Sequence, residues 1–168
     1  MLSCNREHQP VLVTEKIQYD VNIKSPDPDY DWWIQNLVGP ERDKIVSLIM
    51  EGVKSGKFKA YDYYYEPLTV KQVNDIIADT VAVKVQRDVP PYDVFDTLMI
   101  DKIENRDILR LRFMEEWRVN PATLQFEKIV RGIAPVARRI SQTGEVRWQP
   151  LFWIFPDDKF AEKLRKSL

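Results

Sequence analysis

The chain has 168 residues, 44% of them hydrophobic and 30% charged, enough for one sizeable core and about right for one domain. Its 25 basic and 26 acidic side chains nearly cancel, which removes the long-range field that gathers nucleic acid or anionic lipid. No apolar run approaches the roughly 18 residues of a membrane span, and a single cysteine excludes both an internal disulfide and a cysteine-rich zinc site.

That cysteine is Cys4, within "MLSCN". Leu2 and Ser3 before it resemble the end of a bacterial lipoprotein signal, which makes Cys4 a lipidation candidate and residues 1–9 a flexible linker to a single domain over 10–168. The alternative is an incidental thiol in a frayed terminus. From Val11 to Ile23 the sequence alternates as a strand, with Ile17, Tyr19, Val21 and Ile23 on one face. "KSPDPDY" breaks regular structure and leads into "DWWIQNL", where Asp31 suits a helix cap. Adjacent Trp32 and Trp33 cannot both face one core, so one is a candidate for meeting a partner, the alternative being packing beneath a loop.

"GPERDKIVSLIMEGVKSGKF" predicts a helix that Pro40 opens and Gly56 stops, with an inward stripe of Ile45, Leu48, Ile49 and Val53. "FKAYDYYY" is a short strand leaving through Tyr61, Tyr63, Tyr64 and Tyr65, a possible platform for a sugar or peptide or else a half-buried loop edge. "PLTVKQVNDIIADT" predicts a second helix, capped by Thr69 and Gln72, with Val70, Val73, Ile76 and Ile77 inward. "VAVKVQ" reads as a brief strand and "RDVPPYDVFD" as an extended connector.

The remainder is mainly β. Ile108 to Val119 and Leu124 to Pro135 predict a hairpin, "EVRWQPLFWIF" a further, central strand, and "DDKFAEKLRKSL" a helix capped by Asp157. With a four-residue turn over Asn120 to Thr123, Val119 faces Leu124, Trp117 faces Phe126, and Glu115 faces Lys128 as a structural ion pair. The same register sets Glu116 against Glu127 and Arg112 against Arg131 on the other face. Opposed like charges are unfavourable, so either a bulge shifts the register or these four residues await a partner's charges. The fold class expected is α+β: one domain, an antiparallel sheet built on the hairpin at about 107–135 and the strand at about 148–155, packed with two or three helices.

Catalytic chemistry finds little support. His8, the sole histidine, lies near the N-terminus, five glycines form no nucleotide-binding fingerprint, and Glu115/Glu116 point to opposite faces of a strand. No enzyme activity, cofactor or metal is expected.

The order of "EGVKSGKFKAYDYYYEPLTVKQV", "RFMEEWRVNPATLQFEKIVRGIAPV" and "GEVRWQPLFWIFPDD" resembles the GldN and PorN proteins of gliding motility and type IX secretion over about Pro40 to Asp158. The resemblance implies a non-enzymatic periplasmic assembly protein of Bacteroidetes that joins a GldK/PorK-like outer-membrane lipoprotein or a GldM/PorM-like protein, or associates with itself, touching membrane only through an N-terminal lipid. This chain is shorter than the usual ring subunit. The competing expectation is a lipid-anchored envelope protein that binds a small ligand, peptide or glycan through its aromatic surface.

Overall fold

In the computed structural model the described residues are 9–27, 29–30, 37, 39–141 and 144–168. Cys4, His8, Trp32 and Trp33 lie outside them. Along the chain run β1 (Val11–Asn22), α1 (Gly39–Lys54), β2 (Ala60–Tyr61), β3 (Pro67–Leu68), α2 (Val70–Ile77), β4 (Ala78–Gln86), β5 (Val94–Lys102), β6 (Ile108–Val119), β7 (Phe126–Ile140), β8 (Val146–Pro150), β9 (Trp153–Ile154) and α3 (Asp158–Arg165). A 3-10 turn at Asn105–Asp107 leads into β6. The fold is α+β, as expected.

One antiparallel sheet takes the order β1-β6-β7-β9-β2-β3, with β8 joined to the end of β7, while β4 and β5 pair only with each other. Side chains alternate across β6, and the two cores follow from that alternation. Leu111 joins Val46, Met50 and Val53 of α1, Val73 and Ile77 of α2, and Phe152. Met114, of opposite parity, joins Tyr61, Tyr65, Trp153 and Phe155 with Phe160, Ala161 and Leu164 of α3. The sheet is therefore covered by α1 and α2 on one side and by α3 on the other. β9 sits between β7 and β2, so "LFWIF" is central as its composition requires.

The helices start and stop where their sequences direct. Thr69 and Gln72 close a reciprocal capping box at α2, and Asp157 accepts from Lys159 N at 3.0 Å at α3. Gly56, at φ +75°, takes the left-handed position after α1 with its N–H bonded to Val53 O. Thr69→Ala should thus cost about 1 kcal/mol, measurable as a shift in the urea midpoint at unchanged slope. The stripe of α1 is rotated relative to expectation: Val46 and Met50 are buried, whereas Leu48 is 53% exposed. Two neighbouring apolar turns, Ile45–Val46 and Ile49–Met50, allow either rotation, and packing on Ile23, Ile103 and Phe152 selects this one.

Two departures matter more. The 120–125 turn is wider than the four residues predicted. Asn120 Oδ1 accepts from Ala122 N at 2.9 Å, Asn120 N donates to Gln125 O, and Leu124 adopts φ +58°. This Asx turn moves the pairing by two residues, so Val119 faces Phe126, Trp117 faces Lys128 and Glu115 faces Val130. A bulge around Arg131 then shifts it again, setting Met114 against Gly132 and Arg112 against Ala134. The second departure follows "VAVKVQ": the end of the segment read as a connector, "VFD", continues through "TLMIDK" as β5, and with β4 it forms a nine-pair ribbon.

Candidate functional site

The charged residues of β6 and β7 are the natural place to look for chemistry, and most of those along the hairpin find an internal partner. Glu115, only 5% exposed, accepts from Tyr19 Oη at 2.7 Å and from Trp117 Nε1 at 2.8 Å. Burial of the Tyr19 hydroxyl first, and then its hydrogen bond to the Glu115 carboxylate, push it up to about 12. Lys128 lies opposite Trp117 and holds its ammonium 4.5 Å from the indole centroid. The expected Glu115–Lys128 pairing is thus replaced: both share the face of Trp117 and Phe126, but the wider turn sets them diagonally, and each is satisfied by an aromatic neighbour.

On the other face the like-charge oppositions vanish with the register. Glu116 faces Ile129, and Arg118 faces Glu127. Glu116, 6% exposed, receives Arg118 Nε at 2.6 Å and Arg131 Nε at 3.0 Å. Hydrogen bonds from Arg131 first, then from Arg118, hold its carboxyl below the usual range. Arg112 forms a two-point contact with Asp20 of β1, at 2.6 and 3.1 Å. Of the four residues expected to greet a partner, Arg112, Glu116 and Arg131 are therefore committed within the sheet, and Glu127 is exposed.

The tyrosine platform is divided as well. Tyr61 and Tyr65 are buried against Phe155, at centroid distances of 5.4 and 5.9 Å, and Tyr61 Oη donates to Asp158 at 2.9 Å. Tyr63 and Tyr64 face outward. The cleft beside Tyr61 and Tyr65 measures about 260 Å³ and is ringed by Lys59, Asp158, Glu162 and Arg165, smaller and more charged than the usual aromatic ligand pocket. A larger apolar opening of about 510 Å³ adjoins it across Lys59 and Asp158, between Leu48 of α1, Phe58 and Ile154. Among the described residues no group of three or more His, Cys, Asp or Glu is placed to hold a metal.

What the structure does expose is unpaired strand and apolar surface. β1 is an edge strand, with Val11, Leu12 and Val13 all exposed. Residues 126–131 of β7 pair with β6 on one side and, among the described residues, with no strand on the other, because β9 and β8 join β7 only from Ile133 onward. Phe126, Ile129 and Val130 are exposed along that stretch. These three strand ends form an arm that reaches beyond both cores. The β4–β5 ribbon is more exposed still, with Leu98 at 72% and Ile100 at 71%. Sequence reading located the hairpin and, at "VAVKVQ", the first strand of the ribbon, but missed the second strand, whose signal was the run "VFDTLMI" behind paired prolines.

At the root of the ribbon is a cleft of about 420 Å³. Lys24, Lys102, Arg106, Arg138 and Arg139 line it, against Asp101 and Asp107. Arg139 is bonded to Asp101 and Arg106 to Glu104, while among the described residues the side chains of Lys24, Lys102 and Arg138 have no bonded partner. Nearby, the Arg110 guanidinium stacks 3.5 Å from the Trp148 ring centroid, on the sheet face that Arg138 shares.

The described residues form an α+β domain with open strand edges and exposed apolar strand surface. The sequence model of the family described as gliding motility associated protein GldN matches residues 29–161, and the chain belongs to that family. No curated protein matches the chain. The GldN family serves gliding motility and type IX secretion.

Proposed function

We propose that the protein is a non-catalytic assembly component of the gliding and type IX secretion machinery, working in the periplasm through protein–protein contacts. The observation that supports this most is the arm of β1, β6 and β7: two open strand edges carrying Val11, Val13, Phe126 and Val130 in the exposed state. Open, apolar edges are normally blunted in a chain that works alone, because they template pairing with any other strand. The fitting partner is an envelope protein offering a strand or apolar groove, a GldK/PorK-like lipoprotein or a GldM/PorM-like protein, and Trp32 and Trp33 are further candidates for that contact. Cys4 is the candidate lipid attachment, which would tether the domain at the outer membrane without burying it. No helix among the described residues is long and apolar enough to cross a membrane.

The test is complementation. In a gliding bacterium lacking this gene, the chain carrying Phe126→Asp and Val130→Asp should accumulate to normal levels yet fail to restore spreading and secretion. The unaltered chain should restore both. If the substituted chain restores both as well, the arm is not the working surface. Loss of function with the chain degraded would be resolved by the milder Val130→Ser, which should lower recovery of the partner in a pull-down.

A further inference from the structure

The β4–β5 ribbon and the cleft at its root make one continuous surface. Side chains alternate along β5, so Lys102, which lines the cleft, shares its face with Ile100 and then Leu98, at steps of roughly 7 Å. Those two are among the most exposed large apolar side chains of the domain. Across the ribbon Ala78 stands opposite Lys102 and Ala82 opposite Leu98, so the large side chains of β5 border small ones of β4. A cation at the cleft therefore leads directly onto an apolar strip.

The charges of the cleft do not balance. Of its five cations, Arg139 is bonded to Asp101 and Arg106 to Glu104. Its two acids are committed as well, Asp101 to Arg139 and Asp107 to the backbone N–H of Glu104 at 2.8 Å. Lys24, Lys102 and Arg138 remain, without a bonded partner among the described residues, and Lys24 and Arg138 are half-buried. Beside Arg138 the charge is again positive: Trp148 stands opposite it across the strands, and the Arg110 guanidinium lies on that ring, its Nε buried and without a hydrogen-bond partner among the described residues. Cations drawn partly out of water without a counter-charge cost free energy, which an entering anion relieves. The other walls are apolar, from Pro26, Leu109 and Ile140.

We infer that this surface takes an anionic phospholipid, its phosphate among Lys24, Lys102 and Arg138 and its apolar chain along Ile100 and Leu98. The chemistry of the two halves selects that ligand. Free phosphate would satisfy the cations and leave Ile100 and Leu98 in water; an uncharged lipid would do the reverse. A zwitterionic headgroup brings its own ammonium to a cleft whose two acids are already committed, so a headgroup of net negative charge fits better. Farther out on the ribbon Asp96 stands opposite Lys84 and Asp93 is bonded to Arg87, so these acids have counter-charges beside them, and Asp88 lies at the tip beyond the apolar strip. Because the charges of the whole chain nearly cancel, the attraction is local and acts within a Debye length of the bilayer. The inference stands apart from the assembly reading, since a lipid contact orients the domain on a membrane surface whatever its protein partners.

Flotation of the full chain with vesicles tests this, using Cys4→Ser so that no attached acyl chain contributes. Phosphatidylcholine vesicles containing about a third phosphatidylglycerol should carry the chain upward at low salt, and phosphatidylcholine alone should bind at least roughly tenfold more weakly. Lys24→Gln with Arg138→Gln should weaken binding to the anionic vesicles at least roughly tenfold, and Leu98→Ser with Ile100→Ser should weaken it at low and high salt alike. Both double variants should keep the circular dichroism of the parent, because the side chains removed are unbonded or exposed. Should the Arg138 variant fail to fold, Lys24→Gln with Lys102→Gln takes its place, with the same loss expected. Equal binding to the two vesicle types, binding that neither double variant weakens, or binding of inorganic phosphate without binding to vesicles each overturns the inference. No other protein is present in the assay, so its outcome is separate from that of complementation.

Discussion

Replacing Glu116 by leucine should lower the melting temperature by about 6–12 °C, whereas Glu127→Leu, at an exposed position with no bonded side-chain partner among the described residues, should move it by no more than about 2 °C. The asymmetry follows from position alone. Glu116 is buried and is the common acceptor for Arg118 and Arg131, with side-chain exposures of 43% and 28% for the two cations. Removing the carboxylate leaves both guanidinium groups without their counter-charge, one of them against Phe160 with 5.6 Å to the ring centroid. Losing charge-assisted bonds of this kind costs about 3 kcal/mol, less than for a fully buried pair because the cations can still turn partly to water. Thermal unfolding of the two variants, followed by circular dichroism, decides it; equal shifts would mean that Glu116 is no more engaged than a surface acid.

The same residue gives a pH signature with a defined sign. Its folded pKa is depressed by Arg131 and Arg118, so its contribution to stability is complete above the unfolded value near 4.5 and is lost as pH falls through the folded value. Asp158, lowered by hydrogen bonds from Lys59 and then Tyr61, acts in the same direction. Stability should therefore decline on acidification below about pH 4.5, and Glu116→Leu should flatten part of that decline. A variant with the full acid slope of the parent would show that the stabilising proton linkage resides elsewhere.

How much of this was legible in the sequence depends on which force sets each feature. Local chemistry was readable: Thr69 with Gln72, Asp157 and Gly56 act within a turn or two of themselves, and the structure has each of them as their residue types require. The 3.6-residue and two-residue periodicities gave the helices and the long hairpin. Register was not readable, because it turns on whether Asn120 spends its side chain on Ala122 and Thr123, a choice that moves the cross-strand partner of Glu115 from Lys128 to Val130. The second strand of the ribbon was hidden for another reason. "TLMIDK" alternates too weakly to signal a half-buried strand, since in the isolated domain neither of its faces is buried. For the same reason the internal ion pairs of Arg112 with Asp20 and Arg131 with Glu116 resembled free surface charge until β1 and the bulge were placed.

Phe155→Ala should cost about 3–5 kcal/mol, and it should make Gly132→Ala nearly harmless. Phe155 is the hub of the second core: Tyr61, Tyr65, Trp153 and Phe160 all approach its ring within about 6 Å between centroids, two of them edge-on and Trp153 stacked. The ring fits because the residue beneath it has no side chain. A β-carbon on Gly132 would lie 2.6 Å from Cε1 and 2.9 Å from Cδ1 of Phe155, closer than carbon atoms tolerate, and 3.3 Å from Trp153 Cε3, a tight contact. Gly132→Ala in the parent should thus displace the ring from a packed cluster at about 1–3 kcal/mol, while in Phe155→Ala the new methyl enters space the ring has vacated. The coupling energy from the four urea midpoints is the readout, and a value near zero would mean that the glycine serves the bulge conformation and not the ring. A positive coupling ties the bulge, which turns Arg131 toward Glu116, to the core that seats α3, so that one glycine beside the open end of β7 sets both the ion pair and the packing behind the exposed arm.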